Sequence, residues 1–514
     1  MKKIILPLLF FCAALNANAQ EYLHINSHWH EGYVSVDEID SITTGTLTYC
    51  NMLPAIMAKD PNISIFNAAL KLTHMCDSMV EAYDYNFQQG KGITYPYSFQ
   101  NATVAGLSEI KKGYTAFVET DSVYAAHGIF NLKDLKAYAA SVYDEMYPED
   151  ASITDPTDRR NSLNRFVSYH LLDIKAEKNK LTVAGMIDRY GNELKNKYLR
   201  DLADIADWYE TMMPHSLLKC SSPLLSSGKE TVFINRRGVG EKPVRDIFVK
   251  GAEITNSKDM ILQGEALNGS YHYIDDIIAY DKQTQKVVLD EQIIINEATL
   301  LPEIINNGLR NPYNGFSNIS GIYDNGIRLP NWGMKNIKVY NADTQIHYLQ
   351  NYNWPDYQTD EMLVNGNFDF SIKLPSVPAG TYELNIGCGA YSIHPLVVCY
   401  LNEEFCDTID TRYDYEKYVR YWISDKDLGT PEAIAQNDSL LFANGYRKGL
   451  DFHLAYTTTM RDFQNSMRAI VTTFTTDGKS DYYLRIRSVD SNRNKEFNLD
   501  YLELCPTHLL KEYK

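Results

Sequence analysis

No stretch of the 514-residue chain reaches the roughly 18 to 20 uninterrupted apolar residues that a transmembrane helix needs, so no helical span is expected. Clusters of Lys and Arg are missing too. The 49 basic residues stand against 66 acidic ones, and the formal net charge is -17. A phosphate backbone is held by grouped cations, so no nucleic-acid partner is expected. There is no His-Glu-x-x-His helix, no nucleophile elbow and no phosphate-cradling glycine loop; Gly238-Val239-Gly240 lacks the third glycine. No metal, no cofactor and no catalytic residue is therefore expected. With 66 acids, pairs of Asp and Glu arise by accident, and none of them argues for a glycosidase. Tryptophan is scarce, with 5 residues against 38 tyrosines. Tyrosine suits polar binding surfaces and is equally at home in strands.

The first residues carry an export signal. Lys2 and Lys3 precede an apolar run from Ile4 to Leu15, and Ala17-Asn18-Ala19 offers small residues at a cleavage site after Ala19. An exported protein of the periplasm, cell surface or medium is expected. Cys12 lies inside the signal behind Phe10 and Phe11, where a lipoprotein signal peptidase prefers a small side chain, so free protein is expected over a lipid anchor. Removing the signal leaves seven cysteines, an odd number without metal-knuckle or disulfide-framework spacing, and Cys399 with Cys406 is the first pair to test.

At 514 residues the chain is too long for one core, and two or three domains are expected. Residues 21–44 alternate as one or two strands; on one extended strand His24, His28 and His30 share a face, without a carboxylate or cysteine to complete a metal site. Helical periodicity begins after Asn51. Ser64 is placed to cap a helix carrying Ile65, Phe66, Ala69 and Leu70, and Asn131 to cap another carrying Leu132, Leu135, Ala139 and Val142. Residues 113–118 read as a strand, Glu119-Thr120-Asp121 as a helix-capping turn, and Arg159 to Leu172 as a third helix. Leu194 to Met213 reads as an extra helix bearing Trp208. Asn268-Gly269 introduces a closing strand.

Five segments in this order carry a resemblance: SIFNAALKLTHMCDS, YTAFVETDSVYAAHGI, NLKDLKAYAASVYDEMY, NRFVSYHLLD and NGSYHYIDDIIAYD. Together they resemble a fasciclin domain, a mixed α/β fold, over roughly residues 51–280. Two departures stand out. Val118-Glu119 replaces the family's Ala-Pro, and the stretch before the closing strand is longer than the family's.

From Val287 onward strands and turns dominate. Phe368, Phe370, Ile372 and Leu374 alternate before a Pro-rich turn and Thr381 to Ile386, which reads as a hairpin; Ile470 to Phe474, Asp477-Gly478 and Tyr482 to Arg487 read as a second; Phe497 to Leu504 reads as a last strand. This is an all-β antiparallel sandwich. FDFSIKLPSVPAGTYELNI, VVCYLNEEFCDTID and EFNLDYLELCP resemble the C-terminal module of exported Bacteroidetes fasciclin proteins, with a jelly-roll, galactose-binding-like layout. The expected division is a signal peptide at 1–19, a β segment at 20–47, a fasciclin domain at 48–282 with an insertion at about 176–237, and a sandwich at 283–514.

The resemblance implies a non-enzymatic protein of adhesion or ligand binding at the cell envelope, its partner an extracellular glycan or an envelope or host protein. Two alternatives stand beside it: a carbohydrate-binding accessory of a glycan-uptake system acting through the sandwich, and a glycoside hydrolase without a recognisable motif. In fasciclin domains the region of Tyr169 and His170 is linked to adhesion, whereas physically such a pair is more simply buried with its polar atoms satisfied. His272 reads the same way. For a sugar, Trp332, Trp354 and Tyr357 in loop-like PNWGM and NYNWPDYQ are the candidate stacking surface.

Overall fold

The computed structural model describes residues 22–27, 30–35, 52–88, 106–182, 205–223, 225–227, 231–258, 266–310, 327–350, 356–390, 394–412, 421–450, 460–463, 466–489 and 495–511. The export signal and Cys50 lie outside them. Contacts divide the chain into two units, Met1–Tyr49 and Cys50–Lys514. The first holds β1 (Tyr22–Ser27) and β2 (His30–Ser35), paired antiparallel with Ser27 opposite His30. His24 and His30 therefore stand on two strands, one of the two arrangements the alternation allows, and His28 is outside the described residues. Alternation has the same period in one strand as in two, which is why the sequence left both open.

The second unit begins with a seven-stranded sheet. Its strands are β3 (Tyr114–Glu119), β4 (Leu171–Leu172), β5 (Ile205–Glu210), β6 (Leu217–Ser222), β7 (Phe233–Ile234), β8 (Ala252–Lys258) and β9 (Gly269–Ile274), in the order β4-β3-β9-β8-β7-β6-β5. β3 and β9 run parallel and the other neighbours antiparallel. Every residue of β3 and β9 is buried, so these strands are covered on both faces. Helices Ser64–Leu72, Leu132–Met146 and Ser162–Tyr169 put Phe66, Leu135 and Phe166 into the same core. Asn131 caps its helix by accepting from Lys133 and Asp134 N–H, and Thr120 caps Asp121–Ala126.

Three expectations fail here. The helix read over Arg159 to Leu172 is confined to Ser162–Tyr169, and Leu171–Leu172 form β4, held by the ladder to β3. Ser64 is the first helical residue and not the cap; Asp121, from a different helix, accepts Ser64 N–H at 3.2 Å and Ile65 N–H at 3.0 Å. Trp208 is on strand β5 and not on a helix. Ile205, Trp208 and Tyr209 favour strands, and the ladder to β6 fixes them there.

Asp281 caps a helix, Lys282–Leu289, that leads out of this sheet where strands were expected. β10 (Ile293–Asn296) follows, then β11 (Ile327–Leu329), β12 (Ile337–Val339), β13 (Gln345–Gln350), β14 (Asp360–Asn365), β15 (Asp369–Lys373), β16 (Gly380–Cys388), β17 (Leu396–Leu401), β18 (Glu404–Asp410), β19 (Tyr446–Arg447), β20 (Met467–Thr476), β21 (Tyr483–Ser488), β22 (Glu496–Leu499) and β23 (Tyr501–Pro506). They form sheets β10-β23-β16-β20-β19, β12-β15-β21-β17-β18 and β11-β13-β14-β22, all antiparallel.

The strands foreseen in the sequence are present, but their partners differ. β15 and β16 do not pair with each other: β15 pairs with β21 in one sheet and β16 with β20 in another. The two expected hairpins are thus two crossings between sheets, made by residues 374–379 and 477–482. Alternation marks a strand's buried face without naming its neighbour. The expected last strand divides into β22 and β23, which belong to different sheets on either side of Asp500. All six cysteines described are free thiols, Cys399 and Cys406 among them, on the paired strands β17 and β18. The chain is mostly β, with several antiparallel sheets and a minority of helices.

Candidate functional site

Tyr169 and His170 are fully buried. His170 Nδ1 donates to the Phe166 carbonyl at 2.7 Å, and Nε2 lies 2.8 Å from Glu119 Oε1. The Tyr169 hydroxyl donates to the Leu217 carbonyl at 3.1 Å and accepts from Asn235 Nδ2 at 2.9 Å. These two residues join the helix Ser162–Tyr169 to β3 and β6 and offer no surface. His272 is equally buried, with Nε2 2.9 Å from the Ala176 carbonyl; desolvation lowers its pKa to about 4.

The aromatic platform is not assembled as expected. Trp332 is half-buried and stacks on Phe87, with ring centres 5.7 Å apart and planes at 19°. Tyr357 is only 4% exposed and packs on Tyr501 at 5.2 Å, so its faces are not open to a sugar. Trp354 lies outside the described residues. Burial of Tyr357 follows from its neighbours: its backbone N–H donates to buried Asp500 at 2.8 Å, which draws the segment inward.

The cleft that could take a ligand is elsewhere. It measures about 290 Å³ and lies between the seven-stranded sheet and the helix Lys282–Leu289. Ile234, Ile278, Val287 and Val288 give it apolar surface, and Tyr138, Lys250, Asp276 and Gln283 give it polar edges. Gly251 lets the chain lie flat on the cleft wall: its φ is +72°, and a Cβ there would stand 2.3 Å from the Ile234 carbonyl oxygen. Burial, then the charges of Glu119, Asp281 and Asp276, push the Tyr138 phenol up to about 12, so it remains a hydrogen-bond donor at neutral pH.

Several polar groups of the cleft already have internal partners. Asp281 accepts Thr284 N–H at 2.7 Å as a helix cap, Thr284 Oγ1 donates to Ala279 at 2.9 Å, and Lys219 pairs with Glu291. Lys250 pairs with Asp275 at 2.7 Å and Asp276 with His127 at 3.0 Å, both at the exposed rim. Two lysines and two aspartates of the lining balance in charge. An apolar floor with neutral sum charge and mixed donors and acceptors suits a small uncharged polyhydroxyl ligand. Sequence reasoning missed this site because its lining comes from six separate segments, none with a ligand-binding motif. The only local signal was Asp276 and Asp281 behind the closing strand.

No protein-family model matches the chain, and no curated protein matches it. Solved structures superpose on about a third of it. A xanthan lyase from Paenibacillus aligns over 33% of this chain and 12% of its own, with 9% identity and a TM-score of 0.21. An exo-beta-1,3-galactanase from Phanerochaete chrysosporium aligns over 31% and 26%, with 9% identity and a TM-score of 0.18. The catalytic domain of an alpha-1,3-glucanase aligns over 33% and 28%, with 11% identity and a TM-score of 0.17. The chain thus spans under a third of each. Superpositions this loose transfer neither fold nor activity.

Proposed function

We propose that this is an exported, non-enzymatic ligand-binding protein of the bacterial cell envelope, a fasciclin-type module followed by a β-sandwich, whose cleft takes the end of an extracellular glycan. The observation that carries this reading is the 290 Å³ cleft, apolar inside and balanced in charge. Its volume matches one sugar residue or two, at the small end of ligand pockets. The export signal and the five ordered motifs support the envelope setting. A glycan array probed with the full chain and with Tyr138→Ala/Gln283→Ala tests it. Binding by the parent and loss in the variant are expected; signal equal in both moves the ligand to another surface, and no signal from the parent removes the glycan.

The accessory reading, with the sugar held by the sandwich, draws on Trp332, the described member of the expected platform that keeps partial exposure. It predicts that Trp332→Ala abolishes array signal while the cleft variant keeps it. Glycoside hydrolysis is favoured by one observation, that Asp276 and Asp281 line the same cleft. Both already serve structural partners. Release of reducing ends from a polysaccharide, lost in Asp276→Asn, would establish hydrolysis in place of binding.

A further inference from the structure

Where β5 meets the strands after residue 290, acids outnumber bases. Arg310, 8% exposed, has Nε 3.4 Å from Asp360 Oδ2 and Nη1 3.8 Å from Asp207 Oδ2, and its Nη2 donates to Gln358. Gln358, held at φ +61°, donates to Asp207 Oδ1 at 2.8 Å. Asp360 also accepts from Tyr348 Oη and Asn296 Nδ2, each at 2.7 Å. These bonds tie β5 of the seven-stranded sheet to β13, β14 and the end of β10.

More carboxyls crowd on Asp360 than the one arginine can neutralise. Glu297 follows β10, Glu361 is on β14, Asp356 precedes β14, and Asp500 stands between β22 and β23; each is less than one-tenth exposed. Both oxygens of Glu297 and one each of Asp356 and Asp500 are buried and accept no hydrogen bond among the described residues. Burial of a carboxyl oxygen without a donor disfavours the ionised form, whereas the acid form is tolerated. Burial above all, then neighbouring acids, raises Glu297, Asp356, Glu361 and Asp500 well above the usual carboxyl range. Asp360 rises to about 6 by burial in spite of Arg310, and Glu496 of β22 to about 7.

We propose that this cluster is a proton-held clasp, which seats β5 against β10, β13 and β14 while its carboxyls are protonated and loosens that junction when they ionise.

The direction follows from linkage. Acids held higher in the folded state than in the unfolded chain give stability that is complete below about pH 4 and is lost as pH rises through their folded values. For Asp360 and Glu496 the loss runs to about 6 and about 7, and the remaining acids add losses of the same sign. Asp207, raised by burial in spite of Arg310 and Gln358, adds a loss of the same sign, and the remaining groups facing the cluster do not titrate there. Tyr209, Tyr348 and Tyr501 are raised by burial and stay neutral, and Arg310 is raised by Asp207 and Asp360 against its burial and stays charged. His347 on β13 is lowered to about 4 by burial, then by Arg328, and is neutral across the window.

The test is thermal melting of the full chain in chelator at about pH 6.5 and about pH 8.5, with hydrogen exchange of residues 205–210 and 356–365. A lower Tm at the higher pH, on the order of 5 °C, is expected, with faster exchange in both segments after correction for intrinsic rate. Glu297→Gln/Asp500→Asn keeps the shapes and removes two acids, so it should raise the Tm at the higher pH and flatten the difference. If that pair does not fold, Glu297→Gln alone makes the same comparison. A Tm equal at both pH values overturns the clasp, as does a variant that lowers the Tm equally at both. Millimolar calcium abolishing the fall would also overturn it, by making a cation the counter-charge.

Discussion

The imidazole of His170 and the carboxylate of Glu119 sit 2.8 Å apart with both side chains fully buried. Glu119 also accepts the Tyr124 hydroxyl at 2.8 Å and Ile278 N–H at 3.2 Å, so one carboxylate gathers β3, two helices and the chain beyond β9. His170→Ala leaves the Glu119 carboxyl and the Phe166 carbonyl without their imidazole partner in the core. A loss of about 1 to 3 kcal/mol in urea denaturation is expected, the cost of leaving a buried polar group unsatisfied. A loss below about 1 kcal/mol would show that His170 is not part of the frame.

Asp121 caps the helix Ser64–Leu72 across 57 residues of sequence, accepting Ser64 N–H and Oγ and Ile65 N–H. Asp121→Ala should therefore cost about 1 kcal/mol, as the loss of an N-cap does, and Ser64→Ala less, because the backbone bonds to Asp121 survive. Chemical denaturation of the two variants checks the order. The reverse order would restore Ser64 as the cap.

Asn131 and Thr120 act on their own helices, and their capping was legible from adjacent residues. Asp121 acts on a helix far behind it, and nothing local marks that. The same division runs through the strands. The alternation around Phe370 and Ile486 located β15 and β21, but the pattern is blind to partners, so two crossings between sheets looked like two hairpins. Trp208 looked helical because its long flanking stretch has mixed periodicity, whereas the ladder Ile205–Glu210 with Leu217–Ser222 made it a strand. The cleft was invisible for the same reason: its walls meet only after folding.

Gly478 connects the two crossings. Its φ is +72°, and a Cβ would come within 2.7 Å of Ala379 N. Gly478→Ala combines left-handed strain of roughly 1 to 2 kcal/mol with a clash against backbone. A Tm several degrees below the parent is expected, and an unchanged Tm would place residues 374–379 and 477–482 apart, as independent hairpin turns.

His272, His347 and His394 are each lowered to about 4 by burial. A histidine lowered in the folded state gives stability that is present above its unfolded value of about 6.5 and is lost as pH falls toward its folded value. The three therefore destabilise the fold on the acid side, opposite in sign to the carboxyls around Asp360. His394→Gln should lessen the fall in Tm between about pH 6.5 and about pH 4.5 relative to the parent. An identical acid limb in the variant would mean that His394 titrates normally.

The claim that the cleft beside Lys282–Leu289 is the binding site is tested most directly by calorimetric titration of one array-positive oligosaccharide into the parent and into Ile277→Trp, which fills the cleft from its rim. Saturable one-to-one heat in the parent, with affinity at least tenfold weaker in the filled variant, is the predicted result. Equal affinity in the two proteins would contradict it.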